Sequence, residues 1–356
     1  MEYSANYKNP HPLFRLNNRH FDVRAFKTLA VNYIAEGSKN QAYLGNFMSD
    51  WLNDSDSISI QTSGTTSNPK VIRLPKVSFI NSAIATAAYF GLVGGNSALW
   101  CLPFSFIAAK MMFVRSWVSG LKLDIIEPSS SPLENIKAKT YDFSAMVPLQ
   151  LQNSLLNINQ IKTLLVGGAT VSEELASKVK GLDTAVFETF GMTETLSHIA
   201  AKNLSLGDVF FKVLPGVEIA QDERGCMVVS APLINPEKLT TNDVILLPSK
   251  SNFIWLGRHD NIINSAGVKI HPEALEKQLE TQLKNRFFIS SIPDDTLGQK
   301  VVLIIEGEEK KLELDLNQID PLKRPKVIYF VPNFLETSSG KIQRNKTVDL
   351  LNLNQP

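Results

Sequence analysis

Nine consecutive residues, Thr62-Ser63-Gly64-Thr65-Thr66-Ser67-Asn68-Pro69-Lys70, could grip a polyphosphate, and they follow the alternating run Ile58-Ser59-Ile60-Gln61. Closely spaced hydroxyls, a glycine that lets backbone N–H groups approach a ligand, and one lysine match the acceptors and charge of such a group. The alternation before them predicts a strand that delivers the loop. Taken alone, the stretch fits a polar hairpin turn equally well, because turns use the same residue types. A Walker-type loop fits less well. It needs Gly before the lysine and Ser or Thr after it, and here Pro69 and Val71 hold those places.

Two later segments carry compatible chemistry. Thr163-Leu164-Leu165-Val166 runs into Gly167-Gly168-Ala169, and Val186-Phe187 runs into Glu188-Thr189-Phe190-Gly191-Met192-Thr193-Glu194-Thr195. Ligands of open parallel sheets collect at the carboxyl ends of strands, which is where both segments sit. Small residues at 167–169 let a flat base lie close to backbone, Phe190 offers a stacking face, and Glu194 offers hard oxygen to magnesium. Separately, the glycine pair also fits a strand-to-helix turn, and Phe190 a core aromatic.

In combination and in this order, the segments resemble the adenylate-forming superfamily of acyl-CoA synthetases, luciferases and peptide-synthetase adenylation domains. Ser67 and Val71 stand where that family usually has Gly. The resemblance implies an ATP site of Ser63, Gly64, Thr65, Thr66, Lys70, Gly167, Gly168, Ala169, Glu188, Thr189, Phe190, Gly191, Asp243 and Arg258. It gives Thr193 the α-phosphate and Glu194 the magnesium. Thr241-Asn242-Asp243 matches the family's Thr-Gly-Asp, implying that Asp243 holds the ribose hydroxyls, while Asn242 keeps a residue tolerant of positive φ. Gly257 to Glu276 matches the hinge segment, with Asp260 as the hinge and Gly267 and Lys269 facing CoA. In Ser338-Ser339-Gly340-Lys341, the resemblance makes Lys341 the catalytic lysine, although a lysine in such a loop is ordinarily only solvated.

These residues need a frame to hold them. With 356 residues, 44% hydrophobic content and a net charge of +1, the chain reads as a globular protein of two or more domains. Near-neutrality gives no electrostatic reason to expect nucleic acid or anionic membrane as partner. Cys101 and Cys226 sit in apolar surroundings, so buried thiols and a reducing cytoplasm are expected, and the polar N-terminus carries no secretory pattern. Helical spacing over Asp22 to Leu52 predicts core-facing helices bearing Val23, Phe26, Leu29, Val31, Ile34, Leu44, Phe47 and Trp51, and Ser78 to Gly91 predicts another.

Strands are expected at 98–102, 121–126, 145–147, 163–166, 185–187 and 253–256. The resulting fold class is α/β: a large N-terminal domain with parallel-rich sheets (1–259, binding ATP and acyl group) and a small mobile C-terminal α+β domain (260–356). In the latter, a helix is expected over Pro272 to Lys284, and strands at 301–305 and 327–330.

The resemblance implies a reaction. A carboxylate displaces pyrophosphate from ATP, and a thiol then displaces AMP, with CoA as co-substrate. The wall of the acyl pocket falls on Leu102 to Arg115, where Phe106 replaces a common histidine and points to a flat or bulky acyl group, and where Lys110 or Arg115 could pair with a second carboxylate. Both cations also fit an apolar helix whose long side chains reach solvent. Its brevity and the Ile107-Ala108-Ala109-Lys110-Met111-Met112 segment make the chain similar to short o-succinylbenzoate-CoA ligases of menaquinone biosynthesis. Another acyl-CoA ligase, a carrier-protein-loading enzyme and a non-catalytic nucleotide-binding protein remain open alternatives.

Overall fold

The computed structural model describes residues 5–61, 71–134, 136, 139–336 and 342–351. After β1 (Arg15–Leu16), apolar residues at helical spacing form α1 (Val23–Glu36) and α2 (Lys39–Leu52). Asp22 accepts from the Ala25 N–H to cap α1, and Ser38 and Gln41 cap α2 reciprocally. Phe26, Leu44, Phe47 and Trp51 are buried as the spacing requires, whereas Val31 and Ile34 are exposed by 62% and 43%. α1 packs chiefly on α2, so its buried stripe narrows to Phe26 and Ala30 and leaves the other face in water.

β2 (Ser57–Gln61) and β3 (Val71–Pro75) pair antiparallel and bracket 62–70. Ser63, Gly64, Thr65, Thr66 and Lys70 therefore lie outside the described residues. Helix and strand then alternate through α3 (Lys76–Phe90), β4 (Ser97–Trp100), α4 (Ile107–Ser119), β5 (Lys122–Ile125), β6 (Tyr141–Met146), α5 (Pro148–Ser154), β7 (Ile161–Val166), α6 (Glu173–Val179) and β8 (Ala185–Gly191). α3 and α4 each stop at a left-handed glycine, Gly91 and Gly120. The strands align in parallel as β1-β5-β4-β6-β7-β8.

β6 begins earlier than its apolar residues indicate because its polar side chains are satisfied inside the sheet. Asp142 accepts from the Ser97 N–H and hydroxyl, and Ser144 donates to the Leu99 carbonyl.

β9 (His198–Asn203), β10 (Phe211–Val213), β11 (Glu218–Gln221), β12 (Cys226–Ala231), β13 (Asn235–Ser249) and β14 (Asn252–Arg258) extend the sheet antiparallel to twelve strands. Cys101 and Cys226 are buried free thiols. Among the described residues, no helix is long and apolar enough to cross a membrane.

A second, five-stranded sheet contains β15 (Ile263–Ser265), β16 (Val268–Ile270), β17 (Phe287–Asp294), β18 (Gly298–Glu306) and β19 (Val327–Val331). α7 (Pro272–Leu279) packs on β17, burying Leu275 and Leu279 against Ile289, Leu303 and Ile305. α7 ends at Leu279 rather than near Lys284, because the Gln282 amide exchanges two hydrogen bonds, of 2.7 and 2.9 Å, with the Asp315 backbone. α8 (Arg344–Asp349) closes the described chain.

Candidate active site

The carboxyl ends of β7 and β8 meet as the parallel register demands, Val166 lying beside Glu188. Gly167 donates its N–H to the Met146 carbonyl at 3.1 Å, and the Thr189 hydroxyl donates to the Val166 carbonyl at 3.1 Å. A Cβ on Gly167 would stand 2.6 Å from that hydroxyl, and Gly168 adopts φ +86°. Gly167, Gly168, Ala169 and the Thr189–Glu194 segment are thus gathered at one sheet end.

Beyond β8 the chain turns through Thr193–Thr195 into β9. The Thr195 hydroxyl spans the turn, donating toward the Met192 and Ser197 carbonyls at 3.0 and 2.8 Å. Gly191 lets the two strands touch, since a Cβ there would fall on Ser197 O and within 2.5 Å of His198 Cα. Gly191→Ala should therefore lose about 2 kcal/mol or more of stability in urea unfolding, because the obstructing atoms are backbone and cannot rotate away. An unchanged midpoint would mean that the hairpin tolerates displacement.

The Phe190 ring is half-buried, with the rings of Phe211 and Phe253 meeting it at interplanar angles of 62° and 80°. Thr193 and Glu194 are also half-buried. Among the described residues, the Glu194 carboxylate has no hydrogen-bond or ion-pair partner, while its backbone carbonyl accepts from Asn235 at 3.4 Å. No cluster of three metal-binding side chains occurs among the described residues. A lone half-buried carboxylate suits magnesium, which keeps few protein ligands and takes the rest from phosphate and water.

Glu188 requires a correction. Strand alternation turns its side chain away from Thr189 into the interior, where Oε1 accepts from the Val171 N–H at 3.0 Å and Lys202 Nζ lies 2.6 Å from Oε2. Its carboxylate fixes the loop after β7 and is not open to a nucleotide.

Asp243 and Arg258 face each other across β13 and β14. The Trp255 indole donates to Asp243 Oδ1 at 3.0 Å, and Arg258 spans Asp243 and Asp260 at 3.6 and 3.5 Å. Asn242 lies within β13 and not at the positive φ its place in the motif suggested; its amide donates to both Asp260 oxygens at 3.2 and 3.1 Å and accepts from Arg224, which is paired with Asp222 at 2.8 Å. Sequence spacing carries no signal for that chain of contacts.

Gly257, at φ +135°, leaves room for Glu273 of α7 to reach the Asn261 amide. Arg344 grips Glu276 through both nitrogens, one contact being 2.8 Å, and so ties the chain just beyond residue 341 to α7. Lys341 itself lies outside the described residues. Gly267 and Ala266 form the β15–β16 turn at φ +81° and +50°, beside the exposed Lys269.

On the acyl side, Phe106 caps α4 and is 43% exposed. Lys110 and Arg115 cannot share one carboxylate easily, since five residues turn them about 140° apart around the helix. Lys110 donates to the Ser105 carbonyl at 3.3 Å, and burial lowers its pKa. Arg115 is 2% exposed and does not reach solvent. It donates to the Ser197 hydroxyl, Ser197 contacts His198 Nδ1 at 3.1 Å, and His198 Nε2 lies 3.4 Å from the Thr86 hydroxyl. Arg115 Nε has no hydrogen-bond partner among the described residues, nor does any described carboxylate pair with the group. Burial pulls Arg115 down to about 9, and burial followed by the Arg115 charge keeps His198 well below its ordinary value. Among the described residues the cluster holds a desolvated cation without a counter-ion, an arrangement that favours an incoming anion.

The model of the AMP-binding enzyme family matches residues 22–226, and the chain belongs to that family. The 2-succinylbenzoate–CoA ligase of Listeria monocytogenes serotype 4b (strain F2365) is 29% identical over 325 residues, covering 80% of this chain and 68% of that protein. The ligase of the same name from Lactococcus lactis is 24% identical over 324 residues, covering 83% and 72%. Among solved structures, an acyl-CoA synthetase (AMP-forming)/AMP-acid ligase II-like protein from Dyadobacter fermentans is 33% identical with a TM-score of 0.61, covering 91% of this chain and 98% of that one. The o-succinylbenzoate coenzyme A synthetase of Bacillus subtilis, in complex with ATP and magnesium ion, shares the fold at a TM-score of 0.73 and 21% identity, covering 82% and 69%.

Proposed function

We propose that this chain is an AMP-forming acid–CoA ligase that activates 2-succinylbenzoate with ATP and transfers it to CoA, a step of menaquinone biosynthesis. The observation that carries the substrate choice is Arg115: a buried guanidinium lacking a described carboxylate partner suits an acid that keeps a second carboxylate while the first reacts. The two ligases of that name, similar over most of this chain, support the same reading.

In this mechanism Gly167, Gly168, Ala169 and Phe190 receive the adenine, Asp243 and Arg258 the ribose, and Ser63 to Thr66 with Lys70 the phosphates. Glu194 would hold magnesium, which when bound supplies positive charge to the phosphate oxygens. Thr193 steadies the α-phosphate, and Lys341 neutralises charge as the carboxylate attacks α-phosphorus and pyrophosphate leaves. Positioning and charge stabilisation account for catalysis of this kind.

Residues 260–356 then turn about Asp260 against 1–259, withdrawing Lys341 and bringing Gly267 and Lys269 toward the thiol. In this structure Lys277 pairs with Glu173 at 2.5 Å and Glu280 accepts from the Glu173 N–H at 3.0 Å, contacts that such a turn must break. Both are exposed and cheap to open. The buried thiols fit a cytoplasmic setting.

Pyrophosphate release across a panel of 2-succinylbenzoate, benzoate, phenylacetate and fatty acids, with and without CoA, tests the proposal. The expected result is strong selectivity for 2-succinylbenzoate and a thioester only with CoA. A preference for a monoacid would remove the substrate assignment, and release from none of them would remove the ligase.

A further inference from the structure

The Asn242 side chain stands between a guanidinium and a carboxylate. Arg224 donates to Asn242 Oδ1 at 3.1 Å, and Asn242 Nδ2 donates to the two Asp260 oxygens at 3.2 and 3.1 Å. A guanidinium only donates and a carboxylate only accepts, so these neighbours fix which end of the amide faces which. Arg224 is itself braced. It donates to the Thr241 carbonyl at 3.1 Å and to Asp222 at 2.9 Å, and Asp222 also accepts from the Arg224 and Cys226 N–H groups at 2.9 Å in the turn between β11 and β12. The large sheet thus reaches Asp260 through a side chain held at both ends. Glycine, usual at this place in the matched motif, has no side chain to make that link.

Asp260 stands where the chain leaves that sheet. β13 and β14 stay paired up to Asp243 and Arg258, and Asp260 falls in the short turn His259–Asn261 just beyond. The next residue, Asn261, is tied to the other side, its amide donating to Glu273 of α7. Rotation about Asp260 changes the backbone angles of that residue and carries its carboxylate away from Asn242, which the paired strands hold in place. Arg258 lies 3.5 Å from the same carboxylate, but it is shared with Asp243 at 3.6 Å. The Glu173 contacts join α6 to α7, whereas the Asn242 contact is made by the pivot itself. We propose that Asn242 is a positioning residue that latches this pivot. It favours the domain orientation of this structure, from which the proposed mechanism turns after forming the adenylate, and so sets how readily the enzyme passes to thioester formation. The proposal rests on the CoA-ligase reading and on its hinge at Asp260.

The test compares the wild type with Asn242→Gly, Asn242→Asp and Arg224→Met in the full chain. Single-turnover assays give the rates of adenylate formation and of thioester formation from supplied acyl-adenylate and CoA. Pulsed EPR with AMP bound gives the orientation, from spin labels on Ser177→Cys of α6 and Gln278→Cys of α7, both exposed, while the native thiols are buried. Two hydrogen bonds to an exposed carboxylate correspond to about three- to tenfold in a two-state ratio. Asn242→Gly should raise the ratio of a second label distance to the first by that factor. Thioester formation, which scales with the turned fraction, should quicken about three- to tenfold, and adenylate formation should not quicken. Asn242→Asp, which sets an anion against Asp260, should shift both readouts further, and Arg224→Met, which frees the amide to rotate, should shift them less. Unchanged distances in both Asn242 variants, or a thioester step slowed rather than quickened, would overturn the latch. Shifted distances without thioester from any acid would uphold the latch and overturn the ligase reading; thioester formation with rates and distances indifferent to Asn242 and Arg224 would do the reverse.

Discussion

Lys341→Ala should abolish adenylate formation while leaving conversion of supplied acyl-adenylate and CoA to thioester largely intact. In the first half-reaction, negative charge develops on oxygens around the α-phosphorus as pyrophosphate departs, and one positioned donor of that kind contributes on the order of 3 kcal/mol, or about 10²-fold to 10³-fold in rate. In the second, Lys341 has moved out of the site in the proposed mechanism and has no charge to stabilise. Arg344, three positions on in the sequence, holds Glu276 of α7 and donates to the Ile289 carbonyl at 3.0 Å, so the chain is anchored at Arg344. Single-turnover assays of each half-reaction give the answer: a matching loss in both would remove the assigned role.

The sequence was most informative where a local pattern alone decides the structure. Apolar spacing over Asp22 to Leu52 placed α1 and α2, and Gly91 marks the end of α3, because helical periodicity and a left-handed glycine are settled within a few residues. The parallel strands were legible as short apolar runs, but β6 was seen only at Ala145 to Val147, since Asp142 and Ser144 look like loop residues until strand β4 supplies their partners. The antiparallel half of the large sheet was mostly invisible, its strands being short, mixed in polarity and set by long-range pairing.

At the site, the glycines and acidic residues matched family spacing, yet spacing could not distinguish side chains that face the site from those that support it. Glu188 lies in the matched motif and is spent on Val171 and Lys202. Conversely, Ser197, His198 and Thr86 carried no motif. They became relevant only when the fold brought them to Arg115, which is 82 positions from Ser197.

That cluster yields the second large expected effect. Arg115→Met should lower kcat/KM for 2-succinylbenzoate on the order of 10²-fold or more, the range for removing one partner of a desolvated charge pair, and leave an analogue lacking the second, unreacting carboxylate nearly unaffected. The same substitution separates a substrate role from a structural one. If Arg115 stabilised the fold, replacing it would cost stability. But it has no described carboxylate partner, and its retained contact is a hydroxyl, so an apolar side chain of similar length should leave unfolding stability unchanged or raise it. Loss of diacid selectivity with undiminished stability is the expected pair of results, read from steady-state kinetics and urea unfolding of one variant. A large loss of stability with selectivity retained would make Arg115 a core residue of α4, and the second carboxylate would need another partner. Lys110, which faces a different side of the helix and among the described residues donates to the Ser105 carbonyl, is the next cation along that wall.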